Sequence, residues 1–262
     1  MMRQVTLVAL YGPKPAELSE LIVECQRQIA EELNGNFRPY DLSQVHATII
    51  GLERIIGSAG LNLNFDKYRS KHGRMNFQGL LNLIREGSLL PIQVQIGGFQ
   101  NRDYPFVSRG QRPFTRSFSI QGDKLVLMGW PVRGQPLANV ETNTLTFQES
   151  RIYPSVLDDI RRASQKFNVL HSYHRILTDV DNDFYFRIGL IENPPLNPLQ
   201  QQNVENTISQ FLGAIKPVVI DITATNIYVA SYEDEILPLS STKVWSVSDT
   251  RVTAGFIDSL YE

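Results

Sequence analysis

One cysteine, Cys25, stands in 262 residues, so the chain cannot close a disulfide within itself. Cys25 falls on the apolar stripe of an expected helix with nothing nearby to lower its pKa, and it reads as a buried hydrophobe. No apolar run approaches the roughly 20 residues that a spanning helix needs. The opening Met1-Met2-Arg3-Gln4-Val5-Thr6-Leu7 lacks the long apolar core of a signal peptide. The expectation is a soluble, cytoplasmic chain with no membrane partner. An excess of either charge is also missing: 25 Lys and Arg against 27 Asp and Glu leave −2. A polyanion would therefore have to be drawn by a local basic patch rather than by the bulk charge.

Several site signatures are absent too. One cysteine and dispersed histidines offer no metal-ligand spacing. Asp179, Asp181 and Asp183 alternate as in a calcium loop, but the required glycine and distal glutamate are missing, so the stretch reads as a polar turn. There is no Gly-x-Ser-x-Gly elbow for an acyl- or sugar-ester hydrolase. Gly97-Gly98 lacks the further glycines and lysine of a phosphate loop. Neither metal nor cofactor is expected.

What is present is alternating strand and helix pattern. Residues 5–11 are β-rich and end at Gly12-Pro13. Leu18, Leu21, Ile22, Cys25, Ile29 and Leu33 then recur at three- and four-residue spacing up to Asn34-Gly35, which predicts an amphipathic helix. A strand over 44–52 completes a β-α-β opening. Residues 54–74 read as a long loop, 75–85 as a short helix, and 91–99 as a strand ending in a glycine bend. Residues 118–128 form a hairpin around Gln121-Gly122-Asp123. The polar, aperiodic stretch 134–150 is taken as the crossing between two lobes of one domain spanning 1–262. A helix over 154–168, a strand over 183–191 and a helix from Asn197 follow. A long strand over 218–232 carries a bulge near Asn226, and 242–247 is the last strand. The two halves share an order of elements, and folds of that kind place a cleft between the halves.

The chemistry points to Val45-His46-Ala47-Thr48-Ile49-Ile50. On a strand, His46 and Thr48 share one face while Ala47 and Ile49 take the other. An imidazole beside a hydroxyl can move a proton and bond a phosphate oxygen together. The plainer reading is a half-buried histidine next to a β-favouring threonine.

His-x-Thr on the strand after an opening β-α unit resembles the first motif of the two-histidine (2H) phosphoesterases, which include bacterial 2′–5′ RNA ligases and cyclic phosphodiesterases. Residues 90–99, with their glycine-aromatic end, and 227–247, as a closing hairpin, extend the resemblance along most of the chain. It implies an α+β fold of two pseudo-symmetric lobes of antiparallel sheet backed by helices, with a cleft between them. It also implies metal-independent acid-base chemistry on a 2′,3′-cyclic phosphate or a 2′–5′ linkage in RNA or a nucleotide. His46 would be base or acid, and Thr48 would steady the phosphate.

The family carries a second His-x-Thr or His-x-Ser, and this chain departs from it. On Phe184-Tyr185-Phe186-Arg187-Ile188-Gly189 the apolar residues form a core face, leaving Tyr185, Arg187 and Gly189 where His and Thr belong. Either Tyr185 donates a proton and Arg187 grips phosphate through its planar fork, or the site only binds an anion or has lost its ligand altogether, or Arg187 is a plain surface charge. His171 and His174, just ahead of that strand, could substitute for the missing imidazole or be loop side chains. Arg102, Tyr104, Phe106, Arg109, Arg112, Phe114 and Arg116 interleave cations with rings in a way that suits single-stranded RNA, with Tyr104, Arg109 and Arg112 as contacts. A loop packing its aromatics on the lobe is the plainer alternative. The expectation is a poorly packed segment at the cleft rim. The rival to an enzyme is an inactive relative serving as a nucleotide, RNA or protein binding module.

Overall fold

The structure, a computed structural model, describes residues 3–58, 60–69, 73–134 and 151–262. The opening unit is strand β1 (Gln4–Ala9), helix α1 (Ala16–Leu33), the short strand β2 (Phe37–Pro39) and strand β3 (Ala47–Gly51). The six apolar residues of the α1 stripe, Cys25 included, are all buried. Burial pushes the Cys25 thiol up to about 12, which leaves it protonated.

The stretch expected to be a long loop contains helix α2 (Leu63–Arg69), whose buried anchor is Phe65. A pattern with so few apolar residues carries little helical signal. Helix α3 (Phe77–Glu86) begins at an Asn76 cap whose side chain accepts from the Gly79 N–H. Strand β4 (Ile92–Ile96) ends at Gly97 and Gly98, at φ +68° and +70°. A Cβ on Gly98 would stand 2.3 Å from the Pro217 ring, so this bend requires glycine twice over. The arginine-aromatic stretch ends in the short helix α4 (Pro113–Arg116), and β5 (Phe118–Gln121) and β6 (Lys124–Pro131) form the expected hairpin. The expected lobe crossing lies, from 135 to 150, outside the described residues. So does His72.

Helix α5 (Val156–Ala163) continues into a 3-10 turn over Ser164–Phe167, and strand β7 (Phe184–Ile191) follows. On β7, Phe184, Phe186, Ile188 and Leu190 are buried while Tyr185 and Arg187 stay half-exposed, as the alternation predicts. Gly189 instead lies under β2, where a Cβ would meet the Phe37 ring at 2.4 Å. Helix α6 (Pro198–Ala214) starts from an Asn197 cap.

The single long strand expected over 218–232 is two strands. Strand β8 (Val218–Ile222) pairs with β4, and β9 (Ile227–Tyr232) pairs with β1, with a 3-10 turn over Ala224–Asn226 between them. What reads as a bulge is the chain leaving one half of the sheet for the other. Strand β10 (Lys243–Ser246) and helix α7 (Ala254–Ser259) close the chain.

The fold is α+β, with one open antiparallel sheet in the order β10-β9-β1-β3-β7-β6-β4-β8 and with β2 and β5 added on β7 and β6. Along that order β3 ends one half of the sheet and β7 begins the other. The halves meet through one backbone pair, Ala47 opposite Phe186. One face carries the main apolar core beneath α1, α3, α5 and α6. The other carries two smaller clusters, around Val8, Tyr11 and Tyr232 in one half and around Phe99, Met128 and Trp130 in the other. Among the described residues no helix is long and apolar enough to cross a membrane.

Candidate functional site

A cleft of about 480 Å³ opens on the face opposite the helices, along the seam between β3 and β7. Antiparallel pairing of Ala47 with Phe186 carries His46 to the position opposite Arg187, and Thr48 to that opposite Tyr185. All four side chains line the cleft. Their backbone neighbours Ala47, Ile49, Phe184 and Phe186 point into the core and are fully buried, which holds the four in place.

His46 sits one residue before β3. Its Nδ1 lies 2.7 Å from the Gln44 carbonyl, which can only accept, so Nδ1 carries the hydrogen and Nε2 keeps its lone pair. Burial, helped by the charges of Arg187 and Lys14, pushes the imidazole down to about 4. It is a neutral base at neutral pH. Arg187 faces it with little to hold: its Nη1 is buried without a hydrogen-bond partner among the described residues, 3.8 Å from a Glu235 carboxylate that is 68% exposed. The Tyr40 hydroxyl beside it is likewise unpartnered. The Arg187 charge next to that hydroxyl, with Nη1 unbonded among the described residues, makes a place for an anion. Burial pushes Tyr185 up to about 12, so its hydroxyl holds its proton and donates, at 3.3 Å, to Gln121 Oε1.

The far end of the cleft, toward the start of β7, holds residues that the sequence reading leaves in loops. His171 and His174 are both buried. His171 lines the cleft and its Nε2–H donates to Asp181 at 2.9 Å; His174 stands behind it and donates to Asp158 at 2.8 Å. Burial would raise the Asp181 carboxyl, but Arg161 and His171 outweigh it and hold it below the usual carboxylate range. Asp183 accepts from Ser108 at 2.8 Å, Trp130 at 2.7 Å and Arg116 at 3.4 Å. The stretch read as a polar turn is thus a pair of buried acids. The alternate spacing of Asp181 and Asp183 is a signal that could have found them, because buried carboxylates need partners and the chain supplies His and Arg nearby.

The arginine-aromatic segment divides. Arg109 reaches the cleft, in a left-handed conformation at φ +49°, with its guanidinium 3.7 Å over the Tyr173 ring. Tyr104 and Arg112 are not among the cleft-lining residues. Tyr104 packs edge-on to Phe99 at 5.3 Å, and its hydroxyl accepts from the Gln100 N–H at 3.0 Å. Arg112 pairs with Asp103 at 3.1 Å in the open. Phe106 also joins the aromatic cluster on Trp130, at 5.6 Å, and Arg116 is buried. The expected poorly packed segment is therefore packed, because its rings find the exposed flank of β6 and cover it.

The histidines set a pH dependence of stability. His46 and His171 each fall from 6.5 to about 4, burial being the largest cause for both. Between those values the unfolded chain binds protons that the folded one refuses, so stability rises with pH across that window. The Asp181 carboxyl titrates below it. Urea unfolding from pH 7 to pH 4.5 should show a steady loss of stability, and His171→Phe should flatten the slope.

No protein-family model and no curated protein matches the chain. A solved structure, described as TT0787 of Thermus thermophilus, is similar over 92% of this chain and 93% of its own, at 11% identity and a TM-score of 0.40. That likeness is too loose to transfer anything to this chain. Among the described residues, no three His, Cys, Asp or Glu side chains are grouped to hold a metal ion.

Proposed function

We propose that the chain binds a phosphate ester of an RNA-like nucleotide in this cleft, a 2′,3′-cyclic phosphate or a 2′–5′ linkage, and hydrolyses it with side chains alone. The observation that carries the reading is the pairing of a free, neutral His46 Nε2 with an Arg187 donor that lacks an acceptor on the facing strand. A phosphate oxygen would satisfy Arg187 and Tyr40, and the Thr48 hydroxyl would hold a second oxygen. His46 Nε2 would take the proton of an attacking water as its oxygen bonds to phosphorus. The bond to the leaving sugar oxygen breaks, and that oxygen takes the proton that Tyr185 retains. Arg109, at the other end, is the remaining contact from the arginine-aromatic segment. Tyr104 and Arg112 lie outside the cleft and have no part in it.

A second reading, a binding module without turnover, is favoured by one observation. Tyr185 stands where a second imidazole would be needed, and its hydroxyl is already bonded to Gln121.

Calorimetric titration with adenosine 2′,3′-cyclic phosphate tests the anion site on which both readings rest. Arg187→Ala should weaken binding about 10- to 100-fold, the worth of one charge-assisted hydrogen bond of about 1.5–3 kcal/mol. Tyr185→Phe should leave affinity within about threefold, since only a donor not engaged in binding is removed. Unchanged affinity in Arg187→Ala would refute the proposed phosphate position.

A further inference from the structure

The two ends of the cleft differ in charge and in what they leave unsatisfied. Asp183 precedes Arg187 by four residues, about 13 Å along an extended strand, so the ends are separated by roughly the length of a nucleoside. At the Arg187 end the unpartnered atoms are donors. At the Asp183 end, among the described residues, the orphan on a cleft-lining side chain is an acceptor, while Arg116 Nε and His174 Nδ1 are also unpartnered but do not line the cleft. His171 commits its Nε2–H to Asp181, so its Nδ1 keeps a lone pair, and that nitrogen is buried without a partner among the described residues. A buried acceptor without a donor costs free energy that a ligand can recover.

The cations at this end are already engaged. Arg161 donates to the main-chain carbonyls of Thr48, Ile49 and Asp181 and lies 3.2 Å from the Asp181 carboxylate. Arg109 stacks on Tyr173 and stands 3.8 Å and 3.9 Å from Asp181 and Asp183. An anion placed here would meet two buried carboxylates beside Arg109, whose charge those same carboxylates already balance.

We infer that this end of the cleft is a recognition subsite for an uncharged, hydrogen-bond-donating group, a sugar hydroxyl or a base N–H, and that His171 is its acceptor. This rests on the reading of the Arg187 end as the phosphate site, and it fixes the direction of the ligand: phosphate at His46 and Arg187, nucleoside toward His171 and Tyr173. Asp181 acts through His171. By holding Nε2–H, it keeps the lone pair on Nδ1.

Three probes separate the two claims in calorimetric titrations: inorganic phosphate, adenosine 2′-monophosphate and adenosine. The wild type should prefer adenosine 2′-monophosphate over inorganic phosphate by about tenfold or more. His171→Ala should bring that preference down to about threefold or less, and His171→Asn, whose amide oxygen falls near Nδ1, should restore part of it. In nitrogen-15 spectra of the wild type, the unprotonated His171 Nδ1 should shift with adenosine 2′-monophosphate and stay in place with inorganic phosphate. An unchanged preference in His171→Ala overturns the subsite while leaving the phosphate site standing. If that variant melts far below wild type, an Nδ1 resonance unmoved by adenosine 2′-monophosphate overturns it instead. Should inorganic phosphate not bind, or bind Arg187→Ala equally, the phosphate reading falls. Adenosine binding lost in His171→Ala would then keep the subsite alone, and no binding of any probe overturns both.

Discussion

Replacing His46 with alanine should abolish hydrolysis of 2′,3′-cyclic nucleotides, a loss of about 10²–10⁴ in turnover for a missing general base. The other bases that line the cleft are placed elsewhere or engaged: Asp181, Asp183 and the His171 Nδ1 lie at the far end, Glu53 accepts from Tyr232, and Glu235 pairs with Lys124. Tyr185 holds its proton up to about 12, and His171 keeps its hydrogen on Asp181 at the far end. The base form of His46 exists above its value of about 4. Turnover should therefore persist from neutral pH down to about 5 and fall as the imidazole protonates below that. A histidine titrating near its ordinary 6.5 would lose activity two units sooner, so the pH profile separates the two. The assay needs no added metal, and a chelator should leave the rate unchanged. If the wild type turns over no faster than His46→Ala on cyclic nucleotides and short RNAs with cyclic ends, yet still binds them through Arg187, the chain is a binding module.

Arg161→Met should cost about 3–5 kcal/mol of stability, the range for breaking a buried, hydrogen-bonded charge pair. The guanidinium is fully buried and holds the carbonyls of Thr48 and Ile49 on β3 and of Asp181 ahead of β7, at 2.8–2.9 Å. The two half-sheets share a single backbone pair, and Arg161 provides the hydrogen bonds where the strands part. Methionine fills similar space but leaves three carbonyls without this donor and removes the Arg161 charge from the buried Asp181 carboxylate, which keeps its bond from His171. Arg161→Lys retains the charge but not the planar fork, and should recover only part of the loss. For a chain of this size the methionine variant should melt about 10 °C lower. An unchanged melting temperature would mean that the seam is held by the cores alone.

The apolar periodicities of α1, α3, α5 and α6 were legible in the sequence because each helix buries one stripe against one continuous core. The alternation on β7 was legible for the same reason, and it puts Tyr185 and Arg187 together on the face away from that core. Helix α2 was not legible, since Phe65 is its only buried residue. The 218–232 stretch reads as one strand because the slip in its alternation near Asn226 suits a bulge as well as the Ala224–Asn226 turn. Local pattern reports which face is buried and not which neighbour the strand pairs with. Arg161 offers the plainest contrast. In α5 it looks like one more polar residue, and its burial arises from main-chain carbonyls 112 and 113 residues away.

By itself, then, the sequence determined the element types, the core-facing side of each, and His46 with Thr48 as a shared face. These depend on periods of 3.6 and 2 that every local segment carries. Only the tertiary structure decided that β3 and β7 lie side by side, that Arg187 meets His46 with a donor to spare, and that His171 and Asp181 belong to the same cleft. Those facts depend on which distant strands pair. They also depend on which charges must find partners once water is excluded, and no local period encodes either.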